Sequence, residues 1–235
     1  MLEVGAQTTV EVLLGRTTRR DFVPLSRSFV QRRDVGGGAG PLAMFVRSRR
    51  RNALDLYLLA HATASAPPWD VTEYAGVWAR ALGIGATTGA GVVVSTNWTW
   101  LEGQRLVRSE RKGGLRRIFL LNDNGSGDPY ERPTTDFFKL PHAYWTFGWQ
   151  QALDLPAKAV LLIALSLKEG FLLPTAHGAT WYGLSLDTVK RGLRRLRNTG
   201  LLEVREVRKQ APRSPTGFTL ERRYRLRDLT STLSP

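Results

Sequence analysis

Residues 185–227 read SLDTVKRGLRRLRNTGLLEVREVRKQAPRSPTGFTLERRYRLR. Ser185 is a good N-cap, because its hydroxyl can accept a hydrogen bond from a free backbone N–H of the first helical turn. Leu186, Val189, Leu193 and Leu196 then recur at helical spacing and predict one apolar stripe. At about 100° per residue, Asp187, Arg191, Arg194, Arg195 and Asn198 fall opposite it, flanked by Thr188, Lys190 and Arg197. Gly200 is placed to stop the helix. Two strand-like runs follow, LLEVREV and FTLERRYRLR, joined by a turn-rich segment with Pro212, Ser214, Pro215 and Gly217. The stretch carries two Lys and eleven Arg against Asp187, Glu203, Glu206 and Glu221, which is +9 of the chain's +14. Arginine supplies a planar fork that suits phosphates and guanine edges. A basic face on a helix, followed by a basic hairpin, points to duplex DNA.

The whole chain agrees with that direction. It has 235 residues, 42% hydrophobic and 23% charged, enough for one large domain or two ordinary ones. A pI near 10.9 asks for a polyanionic partner, nucleic acid before anionic membrane. Cysteine is absent, which excludes disulfides, zinc ribbons and thiol catalysis and suits the cytoplasm. No secretory apolar segment follows Met1, and the most apolar run, AVLLIAL at 159–165, is too short to span a bilayer.

Ahead of this stretch the chain divides into segments. Residues 1–40 read as a leader: TTVEVLL suggests a short strand, and Gly36-Gly37-Gly38-Ala39-Gly40 a flexible joint. From Pro41, MFVRSRRRNALDLYLLAHATA predicts a helix with Leu54, Tyr57, Leu58 and His61 on one side, ended by Pro67 and Pro68. Thr72 is placed to cap a short helix, EYAGVWARAL, and a third helix follows Thr87 and Thr88 with Val94, Trp98 and Leu101 inward. LVRSER, KGG and LRRIFLL complete a hairpin with Arg111 and Lys112 at its tip. Helix, helix, turn, helix, hairpin is the order of a winged helix-turn-helix. From Asp136 that order recurs through PAKAVLLIALSLKE, PTAHGATWYG and the 185–227 stretch. At an offset of 95, Val94, Trp98, Leu101, Leu106 and Val107 fall on Val189, Leu193, Leu196, Leu201 and Leu202. At an offset of 115, Asp21, Phe22, Leu25 and Phe29 fall on Asp136, Phe137, Leu140 and Tyr144. The expected fold is α+β, mainly α, with two tandem winged helix-turn-helix domains in one chain. The first spans 41–124, the second 136–229, and 125–135 is a flexible linker. The leaders at 21–30 and 136–145 are expected to pack together, and Trp100 to pack under the first of them.

Phe138-Lys139-Leu140-Pro141, the Leu-Pro-Ala-Lys-Ala start at 155–159, Leu184-Ser185 with Thr188-Val189, and Gly200-Leu201-Leu202-Glu203 resemble the winged-helix domain of plasmid replication initiators. The same helix and hairpin are also similar to bacterial winged-helix transcription regulators. The likeness covers 136–227 and implies site-specific duplex binding, with the third helix in the major groove and the wing on the adjacent groove or backbone.

The candidate DNA-binding residues are Thr188, Lys190, Arg191, Arg194 and Arg195 on the second reading helix and Arg208, Lys209 and Arg213 on its wing. In the first unit they are Ser95, Thr96 and Thr99 on the helix and Arg111, Lys112 and Arg116 on the wing. Ser and Thr there release few counterions, so that unit is a weaker reader or a protein-contact module. Other chemistries are thin. His61, His142 and His177 are scattered, Thr88 breaks the dinucleotide spacing of Gly83, Gly85 and Gly89, and NDNGSGD at 122–128 lacks the closing Glu of a calcium loop. No Lys-Ser/Thr follows the Gly36–Gly40 run, as a phosphate loop requires. The expectation is a non-enzymatic, cofactor-free and metal-free binder of double-stranded DNA. It is first a transcriptional regulator, alternatively a plasmid or mobile-element replication initiator on origin repeats or a winged-helix protein-interaction module. Its setting is the cytoplasm with the nucleoid, away from membranes. Transcription or replication machinery are the expected further partners, and the chain acts as a monomer or weak dimer on DNA.

Overall fold

The computed structural model describes residues 5–15, 20–32, 37–85, 88–113, 115–173 and 178–230. Helix α1 (Ala6–Gly15) comes first. The VEV alternation suggests a strand here, but Val10, Leu13 and Leu14 stand at helical spacing and are buried, together with Thr9. Gln7 Nε2 ties the helix to Thr146 O at 2.8 Å. Strand β1 (Phe22–Ser26) leads to a 3-10 turn at Arg27–Phe29. Short strands β2 (Gln31–Arg32) and β3 (Gly38–Ala39) then pair antiparallel, so the described part of the glycine run is part of a ribbon rather than a free joint. Gly40 is required there, since a Cβ would sit 2.4 Å from Phe29 O.

The predicted long helix after Pro41 is two: α2 (Leu42–Arg47) and α3 (Arg51–Thr63). Arg49 breaks them with φ 53°, between Ser48 and Arg50 in a charged run that has no apolar residue to hold against the core. Thr72 does not cap the next helix. It ends strand β4 (Asp70–Thr72), and α4 (Ala75–Ala81) starts after Tyr74. Helix α5 (Ala90–Gly103) and the hairpin β5 (Val107–Lys112) and β6 (Leu115–Leu120) follow. The strand order of this sheet is β4-β6-β5.

The order then repeats. Strand β7 (Phe137–Pro141), the single turns α6 (Ala143–Thr146) and α7 (Trp149–Ala152), and helix α8 (Leu155–Ser166) lead to α9 (Gly178–Tyr182), α10 (Leu186–Asn198) and the hairpin β8 (Leu202–Gln210) and β9 (Phe218–Leu226). Asp154 caps α8 by accepting the Ala157 N–H at 3.0 Å, with Pro156 in the first turn. Phe171 bridges to Tyr224 beside β9, in the place that β4 takes beside β6. The chain is mixed α/β with small sheets, and one contiguous apolar core runs through both halves. Trp78, Trp98, Trp145 and Trp149 are buried in it. At about 25 cal/mol per Å², each buried Trp contributes on the order of 4–6 kcal/mol of transfer free energy.

The two leaders pair, as their apolar positions require. β1 runs antiparallel to β7, with Phe22 opposite Pro141, Pro24 opposite Lys139 and Ser26 opposite Phe137. At the offset of 115, Pro24 faces its own counterpart, while Phe22 and Ser26 each face the counterpart of the other. That register is self-complementary, as in a two-fold contact. Between the halves, Lys158 Nζ donates to Asp55 Oδ1 and Oδ2 at 2.5 and 2.6 Å, and Arg51 lies 3.7 Å from the same carboxylate. Gln150 Nε2 reaches Ala81 O, and the Arg27 guanidinium donates to Ser166 O. Segment 122–135 is not a flexible tether. The Asn122 N–H donates to Asp128 O, Ser126 N–H to Asn124 Oδ1, and the Ser26 N–H to Asp123 Oδ2 at 2.7 Å. Tyr130 is buried and Arg132 stacks 4.3 Å over Trp69 while donating to Ala64 O. The Asn and Asp side chains satisfy their own turn, a compact alternative to disorder.

Helices α8 and α10 cross at Gly192, where a Cβ would stand 2.5 Å from both Pro156 O and Val160 Cγ2. In an open helix Gly→Ala stabilises by about 1 kcal/mol. Gly192→Ala should instead destabilise by roughly 1–3 kcal/mol through overpacking. Urea unfolding midpoints decide it; a more stable variant would mean that the helices do not approach this closely.

Two buried titratable groups oppose each other. Burial, aided by the nearby Arg132 charge, pushes the His61 imidazole down to about 3, between the rings of Tyr57 and Tyr130. Burial pushes Asp123 up to about 6, against the Ser26 N–H that favours its charged form. As pH falls below about 6.5 the unfolded chain protonates its histidine and the folded chain does not, so stability is lost down to about 3. Between about 6 and 4 the folded chain holds the Asp123 proton that the unfolded chain releases, so acidification adds stability. Relative to the parent chain, His61→Phe should gain about 2 kcal/mol between pH 6.5 and 4.5, and Asp123→Asn should lose a similar amount. Denaturation midpoints at the two pH values test this, and slopes of the same sign for both variants would refute it.

Candidate nucleic-acid interface

Helix α10 forms because Ser185 caps it, its Oγ accepting the Thr188 N–H at 3.2 Å, and it ends where Gly200 takes φ 74°. Val189, Gly192, Leu193 and Leu196 are its buried residues. Leu186, read from sequence as part of that stripe, is 46% exposed. It stands three positions, nearly one turn, before the first buried residue, so the stripe starts at Val189.

The predicted reading residues fall into three groups around this helix. Arg191 points away from the core, 4.0 Å from Asp187. Lys190 and Arg194 turn with Arg197 toward the hairpin and line a groove of about 1030 Å³ between α10 and β8–β9. Arg197 was a flanking residue in the sequence pattern, and the groove gives it equal standing. Thr188 and Arg195 lie on the opposite flank: Thr188 Oγ1 shares a hydrogen bond with Ser185 Oγ at 2.8 Å, and Arg195 donates to Ala152 O at 2.8 Å. Arg195 thus secures α10 to the end of α7 while remaining at the surface.

The hairpin β8–β9 stands out from the body, exposed along most of both strands. Pairing puts Glu206 opposite Arg222, Arg208 opposite Leu220 and Gln210 opposite Phe218 on one face, and Arg205 opposite Arg223 and Lys209 opposite Thr219 on the other. Several cations here are compensated: Arg222 by Glu206 at 3.0 Å, Arg223 by Glu221 at 2.9 Å, Arg225 by Glu169 at 2.7 Å, and Arg227 by Glu203 at 2.7 Å. The Arg227 hydrogen bond holds the Glu203 carboxyl below its ordinary value. Lys209 is 3.9 Å from Glu221. Among the described residues, Lys190, Arg194, Arg197, Arg205, Arg208 and Arg213 have no carboxylate within ion-pair distance. Arg208 lies 4.7 Å over the Phe218 ring of the facing strand. Like charges collected on a helix and its neighbouring ribbon repel one another, so an anion between them relieves a cost already present.

The first unit presents a different surface. Ser95, Thr96 and Thr99 are exposed on α5 as expected. Arg116 is not a free wing cation: it donates to Glu102 Oε2 and Ser109 Oγ at 2.9 Å and to Ser95 O at 3.2 Å. Arg111 is exposed near the hairpin end. The Lys112 side chain and all of His177 lie outside the described residues. Trp100 packs edge-on against Phe45 of α2 at 5.1 Å, with Arg50 5.7 Å over its ring, and Phe45 in turn meets Phe29 of the first leader at 6.1 Å. A groove of about 520 Å³ between α5 and β5–β6 is lined by Tyr74, Trp78, Ser95, Thr99 and Arg111 among others.

Among the described residues no three His, Asp or Glu gather as a metal site, and no helix is long and apolar enough to cross a membrane. No family model matches the chain, and it matches no curated protein and no solved structure.

Proposed function

We propose that the protein binds double-stranded DNA site-specifically through two winged helix-turn-helix units in one chain, at 41–124 and 136–229, and serves as a transcriptional regulator. The observation that carries the reading is the set of uncompensated cations on α10 and its hairpin: Lys190, Arg194 and Arg197 beside Arg205, Arg208 and Arg213. An α-helix fits the major groove, and arginines on its outer face can fork onto guanine O6 and N7. The hairpin would follow the phosphates, supplying affinity without sequence information. The strand order β4-β6-β5 and the Phe171–Tyr224 bridge support the winged-helix assignment. An anionic membrane is less well served, because the cations flank a groove instead of spreading over an amphipathic face.

In this proposal the two-fold register of β1 on β7 replaces a dimer seam, and one chain suffices per site. Because α5 and α10 carry unlike side chains, that site is not a palindrome. A non-palindromic site repeated in one direction is what origin repeats provide, which supports replication initiation as the second reading. Binding needs no cofactor, and transcription or replication machinery would be the further partner.

A fluorescence-anisotropy titration tests the reading. With 6–10 phosphates neutralised, affinity should fall about 10³–10⁵-fold between 50 and 200 mM salt. Arg191→Ala or Arg194→Ala should cost roughly 1–3 kcal/mol on the preferred site and much less on random duplex, while Arg208→Ala should weaken both alike. A flat salt response, or equal losses on both duplexes for the helix variants, would overturn it.

A further inference from the structure

We infer that α5 reads an A·T-rich half of the same DNA site through thymine methyl groups, so that the full site is bipartite. This inference rests on the proposed DNA reading. At the offset of 95, Val92, Ser95, Thr96 and Thr99 stand where α10 has Asp187, Lys190, Arg191 and Arg194. The outer row of α5 is therefore free of charge. Of the two basic side chains described beside it, Arg116 is committed to Glu102 and Ser109, and Arg111 lies out on the hairpin.

What the row offers instead is exposed apolar surface at the start of the helix. Val92 is 69% exposed and Val93 36%, and Tyr74, which lines the groove with Ser95 and Thr99, is 66% exposed. A β-branched residue in water near a helix start adds nothing to the core and lowers helix propensity by a few tenths of a kcal/mol. Helix-turn-helix readers contact bases with the first turns of the helix. In the major groove, the C5-methyl of thymine is the apolar feature that such side chains meet, and Ser or Thr hydroxyls accept either base partner. Gly89, Ala90 and Gly91 keep the entry to that turn small. The register of β1 on β7 is locally two-fold, and if α5 and α10 follow the same axis they would stand as paired reading helices do on one duplex. The half under α10 would hold guanines, and the half under α5 would hold thymines.

Deoxyuridine, which pairs as thymidine does but lacks the methyl group, isolates this contact. On a duplex selected by the full chain from a random pool, thymines are replaced one half at a time. The half under α10 is the one whose protection Arg194→Ala removes. Deoxyuridine in the other half should lower affinity about four-fold per contacted methyl, and in the α10 half should leave it unchanged. Val92→Ser, at an exposed position, should erase the sensitivity. If the complex still weakens with salt but deoxyuridine has no effect in either half, the thymine readout is overturned and α5 belongs to a protein partner. If the full chain shows no salt-dependent duplex binding, the DNA reading itself falls.

Discussion

The ion pair between Lys158 and Asp55 joins helices from different halves of the chain at a place closed to water: Lys158 is fully buried and Asp55 is 5% exposed. Burial lowers the Lys158 pKa, and the facing carboxylate works against that shift. Leaving either charge without the other would cost on the order of 3–5 kcal/mol. The halves therefore have little freedom to separate or slide. The pairing of β1 with β7 and the Gln150 bond to Ala81 O act in the same direction. Stability of the body and presentation of α5 and α10 are thus one problem. A site that needs both helices at fixed spacing needs this buried contact first.

The two halves share an order of elements and differ in what they expose. In the second, cations cluster on α10 and a long free ribbon, and the partners that could neutralise them are too few. In the first, Arg108, Arg116 and Arg117 are bound to Glu110, Glu102 and Asp70, and the helix face is Val, Ser and Thr. Electrostatic attraction to a polyanion would come mainly from the second half. In the proposed DNA reading the first would add discrimination but little affinity, because uncharged contacts release no counterions.

Much of this was legible from residues alone. Ser185, Gly200 and the 3.6-residue spacing define α10, and its charge pattern marks the exposed face. The paired leaders follow from matching aromatic positions at one offset. Other features depend on tertiary contacts that one-dimensional patterns do not carry. The period-two alternation in TTVEVLL concealed a helix whose burial is set by its packing partners. The break at Arg49 and the three-residue strand β4 are too short to leave a periodic trace. Roles within the basic set were also hidden. Arg195 and Arg116 look like their neighbours in sequence, yet one anchors α10 to Ala152 and the other is taken by Glu102. Arg197 gains its place only when the hairpin closes the groove. The segment at 125–135 reads as a flexible linker by composition, and the burial of Tyr130, with Asp123 just ahead of it, ties it to the body.

The central claim is that one rigid chain offers two unlike reading helices to a single duplex. A hydroxyl-radical footprint at one chain per selected duplex tests it most directly. The account predicts two protected patches one helical turn apart, together covering roughly 20 base pairs. Protection confined to about one turn, unchanged when the first unit's helix face is altered, would contradict it.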